Sequence, residues 1–367
     1  MQTSCNSTIK IDNKEYLYFS GTSYYSLHSN KDIINFSIEA INKYGLGSAV
    51  SRSTYGTTPL LVELENSISN FFKTEDSVYL PSGYLSNLAG MGALKRLEKY
   101  EIIFIDEGSH YSVFDGANAM EVEVITFKHR DARDLEGKLK STNKKALIAT
   151  DGVFPLFGDI APLNEYELLL DKYNSILWVD DAHGVGVLGN NGRGSLELNS
   201  ITNEKVFFGA TLSKAFGGYG GFICGKKGFI ENIKNGDVVK GTNSMPISVM
   251  ASSLKGLEIL ENHPDLRKNL SENISYLKSK LNELGIKTIN NGMPIIAWQM
   301  ESEETMKAIK DSLLKKGIAI QFLKYSGSDG GALRIVTFAN HSKKQIDILV
   351  KSLKKELALN VEHNLSA

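Results

Sequence analysis

Short apolar runs alternate with helical patterns between about Val78 and Gly225, and this alternation limits the possible folds more than any other feature. Several of the runs are continuously apolar, which is typical of strands that are buried on both faces of a sheet. The predicted strands are residues 77–80, 102–106, 122–127, 146–150, 176–180, 206–209 and 221–224. The pattern predicts an α/β fold, in which ligands bind beyond the carboxyl ends of the strands.

The helices are predicted from the spacing of apolar residues, as at 60–72, where Leu61, Leu64 and Ile68 share one face. After Met245-Pro246 the pattern predicts helices at 250–261, 266–284, 304–316 and 342–357, and strands at 294–300, 318–323 and 332–338. A chain of 367 residues is longer than one hydrophobic core usually supports. We therefore predict an N-terminal segment (1–43), a large domain (44–249) and a smaller C-terminal α/β domain (250–367) that includes the connecting helix.

The charge and composition exclude several classes of protein. The formal net charge of −1 provides no electrostatic attraction for nucleic acid or an anionic membrane, and no apolar run approaches the ~20 residues that span a bilayer. Two cysteines, Cys5 and Cys224, are too few for a disulfide framework. The first residues lack the basic and apolar regions of a secretory signal. We expect a soluble cytoplasmic protein.

A lysine in a glycine-rich turn is the first candidate for chemistry. Lys214 follows a predicted strand, with Thr211 and Ser213 before it and glycines at 217, 218, 220 and 221 after it. A lysine that forms a Schiff base needs a neutral, accessible amine near its cofactor. Hydroxyls and bare backbone can approach a phosphate closely. On this pattern alone, Lys214 either binds pyridoxal 5′-phosphate (PLP) or lies on the surface of a glycine-rich turn.

A second candidate lies at the end of the predicted strand 176–180, where Asp180, Asp181 and His183 follow a buried apolar run. PLP enzymes use an acid to keep the pyridine nitrogen protonated, so that the ring can accept electrons. A carboxylate at the end of an interior strand suits this role, because opposite charges stabilise each other where water is scarce. His183 is close enough in sequence to reach the phenolic oxygen of the cofactor.

Two other readings of the Asp180 segment remain open at this point. An apolar strand that ends in two aspartates also resembles a Walker B element, but the chain has no Gly-x-x-x-x-Gly-Lys-[Ser/Thr] motif. Asp180, His183 and His110 could instead bind a metal, although no Cys pair or His-x-x-x-His spacing supports such a site. We predict no metal.

Two further loops follow predicted strands. His110 lies just beyond strand 102–106, where its ring could stack on the pyridine face or serve as an ordinary capping residue. Ser82, Gly83 and Tyr84 precede a helix predicted to begin at about Leu85. Backbone N–H groups at a helix start bind phosphate, and Ser82 could equally act as an N-cap.

Together these motifs, in this order, resemble the α-oxoamine synthases, a family of fold-type I PLP enzymes. The resemblance runs from about Tyr44 to His341. Its most specific part is Val179-Asp180-Asp181-Ala182-His183-Gly184, followed by Gly186 and Gly192-Arg193-Gly194. The other matching segments are Gly47-Ser48 with Arg52, Gly56-Thr57 and Leu64-Glu65; Ser82-Gly83-Tyr84 with Asn87-Leu88-Ala89; Ser109-His110; Asp151-Gly152-Val153-Phe154 with Gly158-Asp159 and Ala161-Pro162-Leu163; Thr211-Leu212-Ser213-Lys214; and Leu333-Arg334-Ile335.

The resemblance implies a seven-stranded, mostly parallel sheet in the large domain and a smaller C-terminal domain. It implies that Lys214 carries PLP and moves the α-proton, that Asp180 pairs with the ring nitrogen and that His183 contacts the phenolic oxygen. His110 would stack on the ring. The implied cofactor-binding residues also include Ser82, Gly83, Tyr84, Asp151 and Thr211, together with Thr242 or Asn243 reaching the neighbouring subunit of a homodimer. The implied substrate-binding residues are Arg334, Ser23 and Arg52.

The implied reaction is the condensation of a small amino acid (glycine, alanine or serine) with an acyl thioester of CoA or acyl carrier protein. Loss of CO₂ and thiol then gives an α-amino ketone. The alternatives are another PLP reaction on the same fold, such as transamination, and a non-catalytic PLP-fold module. The chain departs from the family at Ser23, usually asparagine, at Leu61, where histidine is common, and at Pro155, where serine often stands. These departures affect the substrate pocket rather than the predicted PLP residues.

Overall fold

The computed structural model describes residues 1–324 and 330–364 of the chain. The described strands are β1 (Thr8–Ile11), β2 (Lys14–Tyr18), β3 (Asp76–Leu80), β4 (Ile102–Asp106), β5 (Glu123–Phe127), β6 (Ala146–Asp151), β7 (Ile176–Asp180), β8 (Val206–Thr211), β9 (Gly221–Gly225), β10 (Ile295–Trp298), β11 (Ile318–Ala319), β12 (Gln321–Leu323) and β13 (Ala332–Val336).

The helices are α1 (Lys31–Tyr44), α2 (Pro59–Phe72), α3 (Gly83–Glu98), α4 (Tyr111–Asn118), α5 (Ala132–Lys140), α6 (Leu163–Lys172), α7 (Ser195–Leu198), α8 (Lys227–Lys234), α9 (Asp237–Lys240), α10 (Ile247–Asn262), α11 (Pro264–Glu283), α12 (Glu303–Lys315) and α13 (Lys343–Asn364). Among the described helices, none is long and apolar enough to cross a membrane.

Seven of the described strands form one sheet in the order β3-β9-β8-β7-β6-β4-β5. The pairs β8–β7, β7–β6, β6–β4 and β4–β5 are parallel, whereas β9 is antiparallel to both β8 and β3. The interior strands β4, β6 and β7 are buried along their whole length, because helices cover both faces of a parallel sheet. The carboxyl ends of the parallel strands therefore meet at one edge, where loops can converge on a ligand.

The predicted strands of this sheet are confirmed, each within two residues of its predicted end. Residues 318–323 differ, because the structure divides them at Ile320 into β11 and β12. β11 pairs with β2 and β12 pairs with β13, so the two halves belong to different sheets. The strands β1 and β2 were not predicted. The pairing of β2 with β11 joins residues about 300 positions apart, which local patterns do not show.

The chain divides into two compact units by its internal contacts. One unit comprises Asn30–Phe154 and Ile160–Asn262 and holds the seven-stranded sheet, and we call it the sheet unit. The other comprises Met1–Ser29, Pro155–Asp159 and His263–Ala367. This division groups the first 29 residues with the C-terminal part, because β2 pairs with β11. It also groups α1 and α10 with the sheet unit, whereas the predicted domains separate residues 1–43 and begin the C-terminal domain at 250.

Candidate active site

A cavity of about 220 Å³ lies in the sheet unit, at the carboxyl ends of the strands. Asp151 ends β6, Asp180 ends β7 and Thr211 ends β8, while Ser82 and His110 follow β3 and β4 within a few residues. The side chains and backbone that line the cavity are Ser82, Gly83, Tyr84, His110, Ser112, Asp151, Asp180, Ala182, His183, Thr211, Ser213 and Lys214. Nine of the predicted cofactor-binding residues therefore come together in one place, all but Thr242 and Asn243.

One wall of the cavity is the start of α3. Ser82 is its N-cap, and the Ser82 Oγ accepts the N–H of Leu85 at 3.3 Å. The first N–H groups of a helix have no partner within the helix and carry its positive dipole end, which attracts anions. Gly83 has no room for a side chain, because a Cβ there would lie 2.9 Å from the Cβ of Thr211. The close approach brings the helix start and the Thr211 hydroxyl together as an anion seat.

The hydroxyls of this seat are oriented by the turn after β8. Thr211 Oγ1 donates to the carbonyl of Gly220 at 2.7 Å and lies 2.7 Å from Ser213 Oγ. Because the single hydroxyl proton of Thr211 is used on Gly220, Ser213 is the donor in the second contact. Thr211 Oγ1 also accepts the N–H of Ser213 at 3.1 Å. These bonds fix the turn that contains Lys214, which lines the cavity.

Two carboxylates occupy neighbouring strand ends. Asp151 of β6 is in register with Asp180 of β7, and both are buried. Asp151 accepts the N–H of His110 at 2.8 Å. Burial, and next the charge of Asp180, raise the pKa of Asp151 well above its usual value. Of the two carboxyls, Asp151 is therefore the one whose raised pKa favours its protonated form.

Asn87 and Ala182 both donate hydrogen bonds to Asp180. Asn87 Nδ2 donates to its Oδ2 at 2.7 Å, and the N–H of Ala182 donates to its Oδ1 at 3.1 Å. Asn87 is fully buried and also accepts the indole N–H of Trp178 at 2.7 Å. The resemblance groups Asn87 with the phosphate-binding turn, and the sequence does not predict its contact with Asp180. A single asparagine inside a helix gives no sequence signal for a contact 93 residues away.

His110 is the N-cap of α4, and its ring is fixed by Ser112. The His110 Nδ1 lies 2.7 Å from Ser112 Oγ and accepts the N–H of Ser112 at 3.2 Å, which assigns the ring proton to Nε2. Burial lowers the pKa of His110 below its usual value, opposed by Asp180 and assisted by Lys214. The imidazole is therefore neutral near pH 7. The Tyr111 ring lies 3.8 Å from it, centroid to centroid.

Three predicted residues lie together at a second, smaller cavity of about 20 Å³: Arg52, Thr242 and Asn243. The two guanidinium nitrogens of Arg52 donate to the carboxylate of Glu65 at 2.6 and 2.9 Å. The bidentate pair uses one edge of the guanidinium, and the predicted substrate contact of Arg52 stays a prediction. Thr242 and Asn243 do not line the 220 Å³ cavity of their own chain.

The remaining predicted residues belong to the other unit. The Ser23 Oγ lies 2.6 Å from the Nδ1 of His28. Arg334 is a buried residue of β13, and its Nη1 donates to the Oε1 of Gln321 at 3.1 Å. Their roles toward the amino-acid carboxylate stay predictions. Within residues 1–324 and 330–364, no group of three or more His, Cys, Asp or Glu could hold a metal ion.

Comparison with known proteins shows the family. Residues 21–353 match the family described as aminotransferase class I and II. The 8-amino-7-oxononanoate synthase of Lysinibacillus sphaericus is 32% identical over 360 residues, which are 96% of this chain and 92% of that protein. The enzyme of the same name from Thermosipho melanesiensis is 34% identical over 351 residues, 94% of this chain and 89% of that one.

Solved structures agree with this match. A serine palmitoyltransferase from S. paucimobilis with a bound PLP–myriocin aldimine superimposes with a TM-score of 0.90 at 26% identity, covering 96% of this chain and 90% of that chain. The serine palmitoyltransferase of Sphingomonas wittichii gives a TM-score of 0.89 at 28% identity, over 95% and 89% of the two chains.

The chain therefore belongs to the aminotransferase class I and II family, with the PLP fold-type I architecture. Within that family it is an α-oxoamine synthase: a PLP-dependent acyltransferase that condenses an amino acid with an acyl thioester to give an α-amino ketone. The predicted family, fold, enzyme class and cofactor are confirmed.

Proposed function

We propose that PLP binds in the 220 Å³ cavity, with its phosphate at the start of α3 and its aldehyde at Lys214. PLP carries a phosphate, an aldehyde, a pyridine nitrogen and an aromatic face, and the cavity supplies a group for each. The anion seat suits the phosphate, and the close approach of Gly83 to Thr211 leaves a cradle that any side chain at position 83 would fill. Asp180 suits the protonated nitrogen, and the neutral ring of His110 suits the aromatic face.

Asp180, His183 and Lys214 then have different roles in the reaction. When bound, PLP supplies the electron sink that stabilises negative charge at the α-carbon of the amino acid. The Asp180 carboxylate holds the proton on the ring nitrogen, and His183 donates to the phenolic oxygen. The Nζ of Lys214 removes the α-proton and later returns one. Because both Asp180 and His110 are fixed by hydrogen bonds, they need no rearrangement during the reaction.

We further propose alanine and the thioester of a seven-carbon dicarboxylic acid as the substrates. The carbon count of 8-amino-7-oxononanoate, the product that names the curated relatives, supports this pair. Loss of CO₂ from alanine leaves its methyl, its α-carbon and its amine, which become carbons 9 and 8 and the 8-amino group. The acyl group supplies carbons 1 to 7, and the carrier thiol leaves. Serine is the competing amino acid, because the solved structures with the same fold are serine palmitoyltransferases.

The test is a thiol-release assay. The purified protein is loaded with PLP and mixed with alanine, serine or glycine and with a seven-carbon dicarboxylic or a sixteen-carbon acyl group, carried on CoA or on acyl carrier protein. We expect thiol and CO₂ in equal amounts, fastest with alanine and the dicarboxylic thioester. A faster reaction with serine and the long chain would overturn the substrates alone. Amino transfer to 2-oxoglutarate without thiol release would overturn the reaction.

We also propose that the protein works as a cytoplasmic homodimer, in which Thr242 or Asn243 reaches the PLP phosphate of the partner subunit. Two observations support the dimer. Leu46 and Tyr55 are large, apolar and 78% and 92% exposed, and an intersubunit contact would cover them. Thr242 and Asn243 lie outside their own chain's PLP cavity, next to the segment that carries these side chains.

A further inference from the structure

We propose that Asn87 is a positioning residue, which orients the Asp180 carboxylate toward the ring nitrogen of PLP and links it to the His110 ring. The inference rests on the proposed PLP site. Asn87 lies in the interior of α3 and does not line the cavity, so it acts through Asp180 and not on the cofactor directly.

The orientation of the Asn87 amide is fixed by chemistry. The indole N–H of Trp178 can only donate, and it lies 2.7 Å from Asn87 Oδ1. The amide oxygen must therefore face Trp178, and the amide NH₂ must face Asp180 Oδ2, 2.7 Å away. Trp178 itself is fully buried and closely packed, because a Cβ on Gly90 would lie 2.0 Å from its ring. A rigid indole thus sets the direction of the amide.

The amide nitrogen of Asn87 has a second hydrogen-bond acceptor. Asn87 Nδ2 also lies 3.0 Å from Ser112 Oγ as a donor, and Ser112 Oγ lies 2.7 Å from His110 Nδ1. Because Ser112 Oγ accepts from Asn87, its own proton is directed to His110 Nδ1, which agrees with a ring proton on Nε2. One asparagine therefore fixes both the Asp180 carboxylate and the tautomer of the His110 imidazole.

The arrangement has a direct consequence for Asp180. Its Oδ2 is bound by Asn87, its Oδ1 accepts the N–H of Ala182 at 3.1 Å, and the residue lines the cavity. One bond on each oxygen thus fixes the plane of a buried carboxylate. Without the amide, Oδ2 loses the donor that sets this plane.

The test compares PLP with its 1-deaza analogue, in which carbon replaces the ring nitrogen but the phosphate and aldehyde remain. Dissociation constants for both are measured by absorbance titration on the wild-type protein, Asn87→Ala and Asn87→Asp. Asn87→Asp keeps an acceptor for Trp178 and replaces the donor to Asp180 by a second carboxylate. We expect either variant to weaken PLP binding about tenfold or more, and binding of the analogue by less than about twofold.

The matched control is Asn273→Ala. Asn273 is a buried asparagine of the other unit that donates to the carbonyls of Phe338, Ala339 and His341, so its loss reports the general cost of removing a buried amide. We expect it to bind both cofactors as the wild type does. Urea unfolding of the cofactor-free protein, followed by far-ultraviolet circular dichroism, checks that each Asn87 variant is folded.

The outcomes separate the inference from the proposed function. Equal weakening of PLP and the analogue would assign Asn87 a structural role only, and unchanged binding of both would remove any role. In either case the PLP site itself stands. If the wild-type protein binds neither compound, the proposed site is wrong and the inference falls with it.

Discussion

Asp180 and Asp181 are consecutive in sequence, but their side chains lie in different environments. Asp180 lines the cavity, whereas Asp181 is fully buried beneath it. Three glycines, at 152, 184 and 194, pack against the Asp181 carboxylate so closely that a Cβ on any of them would lie within 2.4 Å of its oxygens. The Oδ2 accepts the N–H of Ser195 at 2.7 Å. Burial nevertheless dominates and raises the pKa of Asp181 to about 7.

This raised pKa makes a prediction for stability. The folded state keeps a proton on Asp181 that the unfolded state loses near its ordinary pKa of 3.8, so the free energy of unfolding falls as pH rises from about 4 to about 7. We expect Asp181→Asn to remove this loss. The variant should equal the wild type near pH 4 and exceed it by up to about 4 kcal/mol above pH 7. Urea unfolding of the cofactor-free protein across this range measures it. Parallel curves for the two proteins would contradict the prediction.

Most residues that line the cavity can be predicted from the sequence, for a physical reason. The cavity residues end a buried strand or follow one within a few positions, and strands buried on both faces are visible as apolar runs. Asn87 shows the limit. Its contacts with Trp178 and Asp180 depend on how α3 packs on the sheet, which no local pattern contains. The ion pair of Arg52 is a second such contact, since its partner Glu65 lies on α2.

At the scale of elements, Glu65 joins α2 to β3. Besides the bidentate pair with Arg52, Glu65 Oε1 accepts the N–H of Tyr79 at 2.8 Å, and its backbone carbonyl accepts the Ser77 hydroxyl at 2.7 Å. Lys234 Nζ lies 3.6 Å from Oε2. A buried carboxylate needs such partners, because the loss of one leaves a charge that water does not solvate.

We expect Arg52→Ala to lower the free energy of unfolding by about 3 kcal/mol, since Glu65 is buried and would keep only the more distant Lys234 as a counter-charge. The matched control is Lys144→Ala, which removes an ion pair of similar length with Glu123, both about half exposed. That change should cost less than about 1 kcal/mol. Denaturant midpoints give both values, and equal costs would contradict the assignment of Arg52 to structure.

Residues 318–323 show what element prediction misses. The apolar stretch 318–323 predicts one strand, yet β11 and β12, on either side of Ile320, pair with different strands. Register and sheet membership are decided by the partners β2 and β13, not by the stretch itself. The interior strands of the large sheet were predictable because burial on both faces leaves a stronger pattern.

At the scale of the whole molecule, the two units are assembled from segments distant in sequence. The sheet unit is interrupted by residues 155–159, and the other unit gathers both ends of the chain. The length of the chain indicates more than one hydrophobic core, but it does not indicate which segments form each unit. All the residues that line the 220 Å³ cavity, including Asp180, His110 and Lys214, belong to the sheet unit. The proposed PLP site is therefore built by one unit.

The central claim is that PLP is bound covalently at Lys214, and borohydride reduction followed by peptide mapping tests it most directly. Reduction fixes the cofactor on its lysine, and trypsin does not cleave after a modified lysine. We predict that residues 206–226, which contain no other internal Lys or Arg, are recovered uncut with one phosphopyridoxyl group. Lys214→Ala should carry no label. A label on a different lysine, or cleavage after Lys214 in the reduced protein, would contradict the account.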